Sequence, residues 1–243
     1  MKILLAPSET KSQGGSEIFS LENLFGPSLF DIRKELIANY QESIKTVEKS
    51  TLMFGLKKSQ EIEYYRQIAL ESPAKKAVLR YTGVAFDYLD YQSLDFQSQN
   101  YLDKHLLIFS NLFGVLRACD LIPEYRVAQG AKIGDIQVDK RYKKEITKTL
   151  DEYLADEDIL DIRAGYYDKF YTPNKPYTTL KFLKRGKVVS HWAKAYRGKV
   201  LREVAKNKIE NITDFIALPI GGLSLTEVQK RKLKTEIIYE IGD

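Results

Sequence analysis

The sequence contains a single cysteine, Cys119, and only two histidines, His105 and His191. One thiol forbids an intrachain disulfide, and one thiol with two widely separated imidazoles is too few for a zinc, iron–sulfur or His-rich metal site. A reducing cytoplasm is the expected compartment, and no metal is expected. The opening apolar run, Ile3 to Ala6, stops at Pro7, far short of the roughly 7–15 residues of a signal-peptide core. No stretch approaches the ~18 apolar residues of a membrane span, so neither export nor membrane insertion is expected. A Walker loop, a dinucleotide glycine fingerprint, a Gly-x-Ser-x-Gly elbow and a metal signature are also missing. No cofactor and no established catalytic motif follow from that.

What is present is 243 residues, 44% hydrophobic and 29% charged, enough for a sizeable core in one large domain. Short β-prone runs stand at residues 2–6, 106–109, 159–162, 180–183, 188–191 and 215–218, with a weaker one at 237–241. Between them lie helical patterns. Leu29, Ile32, Leu36, Ile37, Tyr40 and Ile44 recur at three- and four-residue steps, and further patterns cover residues 59–70, 139–154 and 192–206. The pattern predicts a single mixed α/β domain: a central mixed β-sheet, flanking helices and a helical insertion at about residues 29–72.

The net charge of +5 hides a strong polarisation. Residues 163–208 hold thirteen Lys and Arg against Asp168 and Glu203, a balance of +11, which leaves −6 for the rest of the chain. On a helical wheel for 192–206, Ala193, Tyr196, Val200 and Val204 gather on one side and Lys194, Lys199, Arg202 and Lys206 on the other, with Arg197 among the apolar group. The preceding strand adds Lys181, Lys184, Arg185 and Lys187, while Tyr166, Tyr167, Phe170, Tyr171 and Tyr177 interleave with Arg163, Lys169 and Lys175. Cations neutralise phosphates and aromatics stack on bases, so this region reads as a nucleic-acid surface. The competing reading is a solvated cationic face with its tyrosines in the core.

Phe54-Gly55-Leu56 followed by Lys57 and Lys58 forms a tight turn before a new helix. Such a turn presents amides and a helix dipole to a phosphate, as a helix-hairpin-helix does, although one Gly between helices is also an ordinary C-cap. Polar groups collect after the β-like runs, where sheets of this class gather ligands: Ser8, Glu9, Thr10 and Lys11; Arg163; and Ser190, His191 and Lys194. Tyr81, Thr82 and Gly83 form another polar turn, and Arg117, Tyr125 and Arg126 a third group. If these segments converge, Glu9 and His191 are the candidate acid and base, and Arg117, Arg163, Lys194 and Arg197 the cations for a small anionic ligand. Alternatively, Arg117 and Arg126 are internal ion pairs that tie loops to the core.

These segments, read together, resemble the YaaA family of bacterial peroxide-stress proteins. The resemblance rests on Leu4-Leu5-Ala6-Pro7-Ser8-Glu9-Thr10-Lys11, Tyr81-Thr82-Gly83-Val84, Ser110-Asn111-Leu112-Phe113-Gly114-Val115-Leu116-Arg117 with Asp120 to Arg126, Asp161-Ile162-Arg163-Ala164-Gly165, and Ser190-His191-Trp192-Ala193-Lys194-Ala195-Tyr196-Arg197-Gly198, in family order. It implies a cytosolic protein that limits unincorporated iron and oxidative DNA damage, with a mixed α/β fold, a positively charged cleft and a helix-hairpin-helix element that binds irregular or bent duplex DNA. The hairpin falls on residues 52–62, with Gly55, Lys57 and Lys58 at the phosphate, and Lys181, Lys184, Arg185, Lys194, Lys199 and Arg202 build the cationic surface. The alternative is an enzyme acting on a nucleotide or damaged base, with Glu9 as its acid or base.

Overall fold

Ile3, Leu4 and Leu5 are buried to within 2% of full coverage, the continuous apolar signature of a strand covered on both faces. They belong to β1 (Lys2–Leu5). The computed structural model describes residues 1–71, 73–189 and 191–242, with the backbone alone at His191. After β1 come the helices α1 (Phe30–Ser43), α2 (Val47–Phe54) and α3 (Ser59–Arg66). A short strand β2 (Lys75–Lys76) leads to α4 (Ala77–Arg80), α5 (Val84–Leu89) and α6 (Phe96–His105). Strands β3 (Leu106–Ser110), β4 (Gly114–Arg117), β5 (Leu121–Ile122), β6 (Lys132–Ile133) and β7 (Ile136–Gln137) precede α7 (Val138–Tyr153). The chain ends with β8 (Ile159–Asp161), β9 (Tyr177–Lys184), β10 (Lys187–Val188), α8 (His191–Asn207), α9 (Ile212–Ala217), β11 (Leu223–Arg231) and β12 (Lys234–Ile241).

The main sheet runs β11-β12-β9-β8-β1-β3-β4, with β10 turned back on β9. β1 pairs in parallel with β3 (Ile3 opposite Leu106) and with β8 (Lys2 opposite Ile159), and β8–β9 and β9–β12 are also parallel. The edges, β4 and β11, and the short β10 are antiparallel to their neighbours. The molecule is thus one mixed α/β domain with a central sheet and flanking helices. From β1 the chain reaches β3 on one side and later β8 on the other, so the connections diverge at the carboxyl end of β1. A crevice opens at such a point in α/β sheets.

The structure departs from the sequence pattern in several places, among them α5, α6 and β11, which the pattern does not mark. The helical stretch from residue 29 is divided into α1 and α2 because Thr46 is extended, whereas the break before α3 falls at the expected turn, with Gly55 capping α2 in the left-handed region at φ 63°. The run 215–218 lies in α9 and beyond it, not in a strand. Asn211 caps that helix by accepting from the Asp214 amide, and Phe215 is its buried residue. Of the described residues in the run 188–191, only Val188 is strand, and α8 starts at His191.

One packing contact positions the site. Gly198 of α8 lies so close to α5 that a Cβ there would stand 2.2 Å from the Ala85 carbonyl oxygen and 2.8 Å from Tyr88 Cβ. Among the described residues, no helix is long and apolar enough to cross a membrane.

Candidate functional site

A cleft of about 390 Å³ opens at the carboxyl ends of β1 and β8. Its walls are the segment after β1 through Ser8, Glu9 and Thr10, the start of α5 from Thr82 to Phe86, and Lys194 and Arg197 of α8. Local hydrogen bonds fix the first wall. The Thr10 amide donates to Ser8 Oγ (3.3 Å), the two hydroxyls lie 3.0 Å apart, Thr10 Oγ1 donates to the Thr82 carbonyl (3.2 Å) and the Thr82 amide to the Thr10 carbonyl (3.1 Å). Gly83 closes this corner at φ 101°, and a side chain there would press on Ser8 Oγ at 3.2 Å. The backbone strain at this positive φ therefore favours glycine.

Glu9 is held at the cleft wall. Arg126 Nη2 donates to Glu9 Oε2 (3.2 Å) and the Gln129 amide to Oε1 (2.9 Å). Arg126 Nε in turn donates to the Phe54 carbonyl (3.0 Å), and the Ala128 amide to the Met53 carbonyl (2.9 Å). This chain of contacts sets the α2–α3 turn beside the cleft: a Cβ on Gly55 would lie 2.8 Å from Ala128 Cβ. Lys57 and Lys58 are exposed there, Lys58 lying 3.4 Å from Glu61.

Lys11 lies behind the wall rather than in the cleft. Its ammonium donates to the Ser8 and Glu9 carbonyls (3.3 and 3.2 Å) and sits 4.0 Å above the Tyr125 ring. Burial, helped by the Arg126 charge, pushes its pKa down to about 7 against the pull of Glu9. Tyr125 Oη lies 2.7 Å from Tyr81 Oη and 2.8 Å from Ser110 Oγ, a buried hydroxyl chain. Ser110 Oγ also accepts from the Phe113 amide (2.8 Å), which fixes the end of β3.

The arginines divide sharply. Arg163 is buried and fully engaged: Nε and Nη2 reach Asp161 at 2.9 and 2.6 Å, Nη1 and Nη2 donate to the Tyr167 and Tyr171 carbonyls, and the guanidinium stacks 4.3 Å from the Phe109 ring. It braces the loop beneath the cleft. Arg197 lines the cleft, and its Nε is buried with no hydrogen-bond partner among the described residues. Burial holds this guanidinium below its ordinary pKa, with the Asp161 charge pulling the other way. Lys194, one turn earlier, is exposed at the same wall.

Other expected site residues fall elsewhere. Arg117 pairs with Asp120 (2.8 Å) and donates to the Asn23 carbonyl (3.0 Å), lining a separate groove with Leu24 and Tyr153. It does not converge with Glu9. Arg202 donates to the Leu89 and Asp90 carbonyls and to Ser93 Oγ, so it caps the end of α5. Lys199 lies over Tyr196 (4.7 Å) and Tyr88 (5.6 Å), and Lys184 over Trp192 (5.2 Å). Lys181 is half-buried on β9, and Arg185 forms the β9–β10 turn at φ 52°. Ser190 and the His191 side chain lie outside the described residues. Of the interleaved aromatics, Tyr167, Phe170 and Tyr171 are core, at most 3% exposed, so they offer no stacking face. Gln129, absent from the sequence-level set, joins the site through its backbone amide, a role that carries no side-chain signal. Among the described residues no three His, Cys, Asp or Glu side chains form a metal-sized group.

Residues 1–229 match the family model described as peroxide stress protein YaaA. The chain is 46% identical over 246 residues to an uncharacterized protein of Campylobacter jejuni, covering 100% of both chains. It is 33% identical to a UPF0246 protein of Corynebacterium glutamicum over 96% of this chain and 97% of the relative. With a UPF0246 protein of Corynebacterium efficiens the figure is 34%, over 88% of each chain.

Proposed function

Because the chain belongs to the YaaA family of peroxide stress proteins, we propose that it binds DNA by structure rather than sequence and so helps limit iron-dependent oxidative damage. One observation carries this reading: the cleft lies between two basic edges. Lys194 and Arg197 of α8 stand on one side, and on the other the contacts through Gln129 and Ala128 lead to the Gly55 turn with its exposed lysines. Lys57, Lys58, Lys181, Lys184, Arg185, Lys194 and Lys199 supply cations for phosphates, while Arg202 serves α5 instead.

Phosphate contacts position a protein without reading bases. With about five such contacts, the salt exponent of about −0.9 per phosphate predicts a roughly 500-fold loss of affinity between 50 and 200 mM salt. Fluorescence anisotropy on a labelled duplex and a labelled four-way junction measures it. Absence of salt-dependent binding to both overturns the reading. The ligand-sized volume of the cleft favours a second reading, an enzyme acting on a nucleotide or damaged base with Glu9 as acid or base. Glu9→Gln would then leave DNA affinity intact and abolish activity on a damaged-base oligonucleotide.

A further inference from the structure

The cleft is small. Its volume of about 390 Å³ is at the low end of the ~300–1,000 Å³ of small-ligand sites, so it admits one ring system and its substituents rather than a duplex. Three chemistries meet inside it. Pro7, Val84 and Phe86 form an apolar wall; Lys194 and Arg197 supply two cations; and the Glu9 carboxylate is fixed at the rim by Arg126 and Gln129. A carboxylate has about four acceptor sites, so Glu9 retains capacity for further donors.

Arg197 is the informative residue. A buried guanidinium N–H without a partner is an unfavourable arrangement that a bound acceptor relieves. The carboxylate that acts on it from within the protein, Asp161, is already engaged at both oxygens by Arg163. Among the described residues the charge of Arg197 is therefore not matched by an acid of its own, in a cleft whose other cation, Lys194, is open to solvent.

We propose that the cleft binds a single nucleoside phosphate unit, with its phosphate on Arg197 and Lys194 and its base against the apolar wall beside Glu9. The unit has two sources, an unpaired nucleotide extruded from a DNA strand or a free mononucleotide. The first rests on the DNA-binding reading above and the second does not. Extrusion is cheapest where the base is already unpaired, so a single-nucleotide bubble is the favoured strand substrate.

Two measurements on the full chain distinguish the sources. Calorimetric titration compares a deoxynucleoside 5′-monophosphate with the corresponding nucleoside. Anisotropy at fixed salt compares a duplex carrying a single-nucleotide bubble with its fully paired counterpart. The wild type is expected to prefer the monophosphate to the nucleoside, or the bubble to the paired duplex, by about tenfold or more, the scale of charge-assisted hydrogen bonds. Arg197→Met and Lys194→Ala should each bring that preference toward one. Lys194 is exposed, so its variant keeps the test valid if the arginine variant misfolds. Lys57→Ala with Lys58→Ala should weaken paired-duplex binding and leave mononucleotide affinity unchanged. If DNA does not bind but the monophosphate does, with the same dependence on Arg197 and Lys194, the DNA reading falls and this inference stands on the free ligand. If DNA binds with strong salt dependence while neither preference exists, or neither responds to Arg197→Met and Lys194→Ala, the DNA reading survives and this inference is overturned.

Discussion

Gly198→Ala tests how the two helical walls of the cleft are held together. The added Cβ would stand 2.2 Å from the Ala85 carbonyl oxygen, 2.8 Å from Tyr88 Cβ and 3.0 Å from the Ala85 carbonyl carbon. The obstacle is mainly backbone, which has no rotamer to turn aside, so α8 must retreat from α5 by on the order of 1 Å to restore van der Waals contact. Two effects compete. Alanine in a helix interior gains about 1 kcal/mol over glycine, whereas overpacking costs about 1–3 kcal/mol and sometimes more. A clash this short belongs at the upper end, so the net loss should be about 1–2 kcal/mol. For a chain of this length each kcal/mol lowers Tm by about 2–4 °C, giving a fall of ~2–8 °C in a thermal melt. Gly221→Ala is the control, since a Cβ there meets nothing within 4 Å and the backbone is not left-handed; it should change stability by no more than about 0.5 kcal/mol. Because Lys194 and Arg197 ride on α8, the same variant should weaken any ligand that bridges α8 to the Ser8–Thr10 wall. A Gly198→Ala protein as stable as the wild type, or more stable, refutes the close-contact argument.

Between about pH 7 and its ordinary pKa of 10.5, Lys11 is protonated in the unfolded chain and largely neutral in the folded one. Stability of the wild type relative to Lys11→Met should therefore rise with pH across that window, and a flat difference in urea melts would contradict the burial argument. Arg163→Met leaves Asp161 in the core without its bidentate partner and should cost about 3–5 kcal/mol; a loss under about 1 kcal/mol in urea denaturation would return Arg163 to the list of ligand groups. Burial also pushes the Cys119 thiol above its ordinary pKa, so alkylation at neutral pH and oxidation by peroxide should be slower than for an exposed cysteine, and Cys119→Ala should leave DNA affinity unchanged. Rapid sulfenic acid formation at Cys119 would falsify this.

The elements legible in the sequence are those whose own side chains carry the signal. β1 and β3 read as strands because they are apolar on both faces, and α7 because Tyr142, Ile146 and Leu150 repeat on one buried stripe. The run 215–218 misleads because four residues cannot separate a buried strand from one turn of helix; an Asn cap three residues before Asp214 decided it. β11 gave only a sparse apolar signal, Leu223, Leu225 and Val228, because nearly all its residues face solvent at the sheet edge. At the site, the rule that ligands gather after parallel strands located Ser8, Glu9 and Thr10, and the helical wheel marked Arg197 as a cation on an apolar face. Cation counting did not separate Arg197 from Arg117, Arg163 and Arg202, because Arg117 and Arg202 are engaged by carbonyls of the distant segments at Asn23 and Leu89, and Arg163 by Asp161 and the Tyr167 and Tyr171 carbonyls through a loop conformation that residue counts do not display.

The central place of β1 has a consequence for synthesis. Its two partners begin at Leu106 and Ile159, so β1 waits for about 150 further residues to be made before both of its edges are paired. At about 5–20 residues per second, that wait is on the order of ten seconds on the ribosome. Helices α1 to α3 can form from local contacts during this interval, but the sheet cannot close, and long-range parallel pairing is intrinsically slow. Nascent chains in which Ile159 has not yet been made thus expose an apolar strand with an open edge, and they, rather than the finished protein, are the species most in need of a chaperone.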